Sequence, residues 1–538
     1  MKIKQLPHPN RFIFALVALC LAGFGTQAQQ PGETLVFGTG SEPDTLDHTC
    51  TSSSIADMQY KTLFDTLVFW APDQEFYPYL ATGWEISDDF SEYTFTLRDD
   101  VTFHDGTPFN AEAVKVNLDR IGAGEELCPI GGVAQSRLGA LYDTTEVVDE
   151  FTVTVKFTAP NPAFLTAAAD LYFTSLAAFD TYGEDIGRHA VGTGPFMLDE
   201  WQEQNSLTVI RNPDYQWPPA NAGHSGHSGP PRLAEITWLF IPEETTRYAS
   251  LEAGETHLIN RVELEQFELL EANPDLVSQR SPLPGTPTGL MVNASLPPLD
   301  DIRVRQALMH GVDRETLVSV LFGDFYIPAY GPLSAATWSY WPGVEDFYPY
   351  DPERATELLE EAGWADNTGD GFLDKDGERL VITLMELTGT ADRSEAWQFI
   401  QAQLRALGIE VQLRFAESGV VVSECHGGTQ HLCGLRIRLT DPSRLEFMFA
   451  GHNVGSGFNW THLPDGEIDD LLIAGASEID FERREEIYHD LQRRIMELAI
   501  WLPVWDTQMV HAATPALQDW MMLPNPEYIW LYEAHFEE

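Results

Sequence analysis

Gly83-Trp84-Glu85-Ile86-Ser87-Asp88-Asp89, Tyr93-Thr94-Phe95-Thr96-Leu97-Arg98 and Val101-Thr102-Phe103-His104-Asp105-Gly106-Thr107-Pro108-Phe109 follow one another almost without a break. The middle piece alternates apolar Tyr93, Phe95 and Leu97 with polar Thr94, Thr96 and Arg98. That is the period of a strand with one buried face, predicted over Glu92–Asp100. His104-Asp105-Gly106-Thr107-Pro108 reads as a tight turn, in which Gly106 supplies a positive φ and Pro108 fixes the exit. A helix then starts at Phe109-Asn110-Ala111-Glu112, with Asn110 as its cap and Val114, Leu118 and Ile121 along its apolar side. His104 stabilises the turn in this reading. No second ligand lies near enough in sequence to suggest a metal or a catalytic pair.

The same periodicities extend outward. Leu35–Gly38 opens as a strand, Phe151–Phe157 alternates again, and Ile236–Phe240 is a strand before a helix at Thr245–Ala253 closed by Gly254. Pro282–Gly289, rich in Pro, Gly and Thr, marks a boundary. Beyond it come a strand at Leu290–Asn293 and a helix at Asp301–Gly311. Further helices at Pro352–Ala362, Ser394–Leu407 and Phe481–Ala499 interleave with strands at Val381–Met385 and Glu410–Phe415, so the second half reads α/β. Gly192-Thr193-Gly194-Pro195 reads as a close-packed crossover. It lacks the Lys-Ser/Thr of a phosphate-binding loop. No tandem repeat is present. Asn212–Arg232 is a surface loop whose His224 and His227 do not require a metal.

Residues 1–28 stand apart. Lys2, Lys4 and Arg11 precede the apolar run Phe12–Gly25, and Thr26-Gln27-Ala28 places small residues at a cleavage site, so a signal peptide ending at Ala28 is predicted. Leu19, bulky where a lipidation motif needs a small residue, argues against lipid on Cys20. In a chain of 538 residues, the length beyond Ala28 suggests about three domains. Hydrophobic residues make up 43%, enough for real cores. The net charge is -52, and beyond the leader the only lysines are Lys61, Lys115, Lys156 and Lys375. Such a surface repels nucleic acid and anionic lipid, and it stays soluble in a salty medium that screens it.

Four cysteines lie beyond the leader. In an exported chain the even count favours disulfides, with three pairings open. Cys425 and Cys433 flank a Gly-rich stretch and would close a short hairpin, leaving Cys50 with Cys128. Neither pair has the spacing of a zinc site. Asp366-Asn367-Thr368-Gly369-Asp370-Gly371-Phe372-Leu373-Asp374 resembles part of a calcium loop, but the closing position falls on Gly377 where a bidentate Glu is needed, and an acidic hairpin is the plainer reading. Nucleophile-elbow, zinc-protease and phosphate-loop motifs are all absent. Carboxylates are too abundant for any pair to signal a glycosidase. An exported hydrolase of oligosaccharides or peptides is the alternative class, separated from a binding protein by turnover. No cofactor and no catalytic residue is expected.

The opening stretch resembles the signature of family 5 extracellular solute-binding proteins, the peptide, oligopeptide and nickel receptors of ABC importers. Val191-Gly192-Thr193-Gly194-Pro195-Phe196, Arg211-Asn212-Pro213-Asp214-Tyr215, Asp301-Ile302-Arg303-Val304-Arg305-Gln306-Ala307 and Glu360-Glu361-Ala362-Gly363-Trp364 agree in order and spacing from about Leu35 to the C terminus. The resemblance implies a two-lobed α/β fold with a hinge and an extra domain in the first lobe. Residues 29–50, 189–284 and 506–538 would form that lobe, 51–188 the extra domain and 285–505 the second lobe. It also implies a monomeric periplasmic protein that closes around a small solute or peptide and passes it to a two-subunit membrane permease.

The resemblance also points to site residues. Trp505 falls where peptide-binding relatives have a tyrosine-rich segment beside the ligand. Trp460, after the turn Gly451–Gly457, is a second candidate for the cleft, whereas Trp338 and Trp341 are read as packing. In peptide-binding relatives an Asp four residues before a Pro captures the ligand's amino group, and a Trp three residues earlier stacks beside it. Counting back from Pro442 places Arg438 and Leu435 there. An arginine repels an ammonium and suits a carboxylate or phosphate. Alternation sets Leu435, Ile437 and Leu439 on one face of a strand and Arg436 with Arg438 on the other. A shifted register would bring Asp441 to the amine-binding place instead.

Overall fold

The computed structural model describes residues 33–51, 53, 56–124, 128, 133–219, 226–438, 441–455 and 457–537. The predicted leader with Cys20 and the loop residue His224 lie outside them.

The alternating stretch is a strand at Glu92–Leu97 with Tyr93, Phe95 and Leu97 buried. It sits inside a four-stranded antiparallel sheet with Ala81–Ile86, Thr152–Phe157 and Tyr142–Asp149. The helix Ala111–Gly122 covers that sheet. Asn110 caps it, its side chain accepting from the Ala113 amide at 3.0 Å, and Val114, Leu118 and Ile121 are buried in the shared core. His104 ties this unit to the crossover. Its Nδ1 accepts from the Gly192 amide at 3.3 Å and its Nε2 donates to the Gly194 carbonyl at 3.0 Å. Burial lowers its pKa to about 4. A Cβ on Gly192 would lie 2.1 Å from the Leu63 carbonyl oxygen, so the close backbone approach requires glycine.

Two larger sheets organise the rest. The seven-stranded sheet runs, edge to edge, Val277–Pro282, Gln508–Ala513, Leu258–Ile259, Thr34–Thr39, Glu235–Phe240, Ser206–Arg211 and Phe196–Gln202. Thr34–Thr39 lies parallel to both of its neighbours, and Phe37 stacks on Trp238 with ring centres 4.5 Å apart. The six-stranded sheet runs Ile327–Pro328, Trp501–Asp506, Thr288–Val292, Leu432–Leu435, Val381–Leu387 and Glu410–Ala416. Val381–Leu387 is parallel to both of its neighbours. Helices Ile302–His310, Arg314–Phe322, Pro352–Glu361 and Ala391–Ala406 supply residues to its core.

The chain leaves the first sheet after Pro282 and enters the second at Thr288. It returns through Thr507, between Asp506 and Gln508. The two crossings are bonded to each other, the Leu283 amide donating to the Thr507 carbonyl at 2.9 Å. The fold is therefore the expected pair of α/β lobes with a two-segment hinge.

Both expected disulfides are present, Cys50–Cys128 and Cys425–Cys433. The second does not close a hairpin. Cys425 lies in the last turn of the helix Ser418–His426 and Cys433 in the strand Leu432–Leu435, so the bridge pins a helix end to a sheet.

Candidate functional site

Ligands of open α/β sheets gather outside the carboxyl ends of parallel strands, where the loops spread and backbone groups point outward. Here those ends are Thr39, Phe240 and Ile259 in one lobe and Leu387, Ala416 and Leu435 in the other. Charged residues follow several of these ends within a few positions, among them Arg261 beyond the strand Leu258–Ile259, Asp392 and Arg393 beyond Val381–Leu387, and Arg436 beyond Leu432–Leu435.

The two lobes meet through Glu527. One carboxylate oxygen accepts from Arg261 at 2.5 Å and the other from Arg438 of the second lobe. Glu527 is buried, and its backbone is fixed by its amide donating to Asn525 Oδ1 at 3.2 Å. Arg261 has φ 53°, a left-handed conformation uncommon outside glycine. It is held there from below by the buried guanidinium of Arg247, which donates to the carbonyls of Ile241, Asn260 and Arg261. Glu263, on the same loop, has its pKa raised by burial and by the charges of Glu244 and Asp392, the latter from the opposite lobe.

In the second lobe Arg393 pairs with fully buried Glu386 at 3.3 Å, and Trp397 Nε1 donates to the same carboxylate at 2.8 Å. Gly434 makes room for it, since a Cβ there would lie 2.0 Å from Glu386 Oε2. Arg436 is half-buried and has no hydrogen bond or ion pair with a described residue. Burial and the neighbouring charges of Arg438 and Arg393 lower its pKa to about 10. Tyr326 completes this wall, close enough to Asp392, Glu263, Arg436 and Arg393 to feel all four.

The residues singled out from sequence separate into two groups. Arg438 reaches across to Glu527, whose charge Arg436 also feels. The strand proposed to carry them ends at Leu435, however, and Leu439 lies outside the described residues. Asp441 is not presented to a ligand: Arg484 grips both of its oxygens at 2.7 and 3.0 Å, in a pair with side chains only 8% and 7% exposed. Trp505 is fully buried in the second-lobe core, stacked beneath Tyr326 with ring centres 5.9 Å apart. Trp460 is buried in a separate core beside His426 and Phe458. Both tryptophans are packed in cores in this structure, and Tyr326, at 9% exposure, belongs to the same core as Trp505. Arg261, Arg393 and Glu527, which carry charge close to Arg436 and Arg438, are not revealed by periodicity or motif spacing.

No cluster of three metal-ligating side chains occurs among the described residues. The Asp366–Asp374 loop spends its carboxylates internally: Asp366 accepts from the amides of Gly369 and Gly371 at 2.7 and 2.9 Å, and Asp370 pairs with Arg379. His227 Nε2 bonds the Pro230 carbonyl at 2.8 Å. Among the described residues no helix is long and apolar enough to cross a membrane.

The model for bacterial extracellular solute-binding proteins, family 5, matches residues 75–440. The chain belongs to that family. It is 31% identical over 531 residues to the glutathione-binding protein GsiB of Salmonella typhi, covering 96% of this chain and 97% of the relative. Among solved structures it resembles HbpA2 from Haemophilus parasuis, with TM-score 0.81, 23% identity and coverage of 94% and 100%. NikA from Brucella suis, solved with Fe(III)-EDTA, gives TM-score 0.79 at 24% identity, again covering 94% and 100%. This solute-binding protein thus has the architecture of its family along nearly its whole length, and its opening signature stretch is carried by the sheet that His104 fastens to the first lobe.

Proposed function

We propose that this protein is the periplasmic substrate-binding component of an ABC importer, which takes up one small solute, peptide-like or otherwise oligomeric or anionic, between its lobes and delivers it to the permease subunits. The observation that carries this reading is the pair of facing carboxyl ends, joined by two crossings and lined from both sides by arginine. Glutathione, the solute named for the GsiB relatives, is a small peptide with two carboxylates and one ammonium, and it fits a cleft of that sign. Residues 29–50, 189–284 and 506–538 act as the first lobe, 51–188 as its extra domain and 285–505 as the second lobe. Export through the leader and a monomeric state complete the proposal. The protein binds and releases its solute without converting it.

Native mass spectrometry of protein purified without denaturation tests this. The expected result is one non-covalently held small molecule, released unchanged on unfolding. Conversion of added peptides or oligosaccharides into products would instead favour the hydrolase class.

A further inference from the structure

Three guanidiniums of the second lobe lie close to one another, and two already have carboxylates. Arg393 has Glu386 beneath it at 3.3 Å. Arg438 has Glu527, whose other oxygen is taken by Arg261. Arg436 has neither a hydrogen bond nor an ion pair among the described residues, although it is half-buried and flanked by the other two. Removing a guanidinium from water without returning hydrogen bonds is unfavourable, and two like charges beside it add to the cost. A fold keeps such a group where something arrives to satisfy it.

We infer that Arg436 is the specificity-determining residue of the cleft, the seat of an oxyanion on the solute, carboxylate or phosphate. The inference rests on the receptor reading above and narrows it. The planar fork of a guanidinium matches two oxygens of one such group. The resident acids do not fill the seat. Glu527 is engaged on both oxygens, Glu386 lies beneath Arg393 and Trp397, and Asp392 and Glu263 affect Tyr326 electrostatically without pairing with Arg436. Asp441, the carboxylate of this segment that would hold an ammonium, is committed to Arg484. The segment is therefore arranged to receive negative charge.

The test uses the full mature protein and two variants, Arg436→Met and Arg436→Lys. In urea unfolding without solute, Arg436→Met should be as stable as wild type or more so, because a partly desolvated charge that makes no ion pair among the described residues is gone. A clear loss of stability would make Arg436 a structural residue and overturn the assignment. The second arm is a thermal-shift and calorimetric panel of free-acid tripeptides including glutathione, the same peptides as C-terminal amides, sugar phosphates, neutral sugars and diamines. Every solute bound by wild type should carry a carboxylate or phosphate and should bind about 100-fold more weakly to Arg436→Met, as expected for removing one partner of a desolvated charge pair. Arg436→Lys should keep part of the affinity. The peptide amides and the sugar phosphates tell which oxyanion is read. A neutral or cationic solute held equally by wild type and Arg436→Met overturns the seat and leaves the receptor standing. Failure of wild type to bind any class overturns both.

Discussion

At the scale of single residues, the segment 434–441 shows what a sequence position does not reveal about its surroundings. Gly434 is dictated by Glu386 behind it, Arg436 is half-buried without an ion pair among the described residues, and Asp441 turns back into the lobe. Asp441→Asn should cost about 3 kcal/mol in urea unfolding, because it leaves the buried Arg484 guanidinium without its countercharge. Affinity for the co-purified solute should stay near wild type. A stable variant with weakened binding would return Asp441 to the cleft. His511 offers a second check. It is fully buried on the strand Gln508–Ala513, its Nε2 donates to the Pro526 carbonyl at 2.7 Å, and burial lowers its pKa to about 4. A histidine whose folded pKa lies below its unfolded value near 6.5 contributes stability that is complete above the latter and is lost as pH falls toward the former. His511→Gln, which cannot titrate, should therefore show its largest deficit relative to wild type at pH 7 and a shrinking one toward pH 4.5. A constant gap would contradict the neutral buried imidazole.

At the scale of elements, most of the fold is legible because burial on one face writes its period into the chain. Glu92–Leu97, Phe481–Glu497 and Val381–Leu387 lie within a few residues of where alternation and helical spacing put them. The errors have physical causes. The alternation of Leu435, Ile437 and Leu439 continues past the end of its strand. Its partner, Thr288–Val292, leaves the sheet at the hinge crossing, and only the isolated bridge Gly285–Arg438 remains. Trp505 reads from its place in the chain as a ligand platform, yet all six positions of Trp501–Asp506 are buried. The unbroken apolar run Trp501-Leu502-Pro503-Val504-Trp505 is the available signal for a strand covered on both faces. Cleft residues Arg261, Arg393 and Glu527 come from three distant segments and have no shared local pattern. The disulfides give the element-scale prediction. Cys50–Cys128 closes a separation of 78 residues and Cys425–Cys433 one of 8. On loop-closure entropy alone, the double Cys→Ser variant of the first pair should be about 2 kcal/mol less stable than that of the second, by denaturant unfolding. Equal losses would show that strain or residual structure, not chain entropy, sets the contribution.

At the scale of the whole molecule, charge and hinge dominate. With 83 acidic against 31 basic residues, the folded chain repels itself, and screening should relieve this more than it weakens surface ion pairs. The urea midpoint should rise between 10 mM and 1 M sodium chloride. A fall would mean that ion pairs, not repulsion, govern stability. The two sheets are joined by crossings as short as Thr507 and Leu283–Pro287, and in the proposed function the solute sits between the lobes they form. Rigid lobes on such a hinge close when a solute bridges them.

Small-angle scattering on the same preparation, first stripped of solute by unfolding and refolding and then reloaded to saturation with the molecule identified by mass spectrometry, tests that most directly. Closure around the solute should give the loaded protein a smaller radius of gyration, with the solute recovered intact. An unchanged radius at saturation, or a solute returned as products, would contradict it.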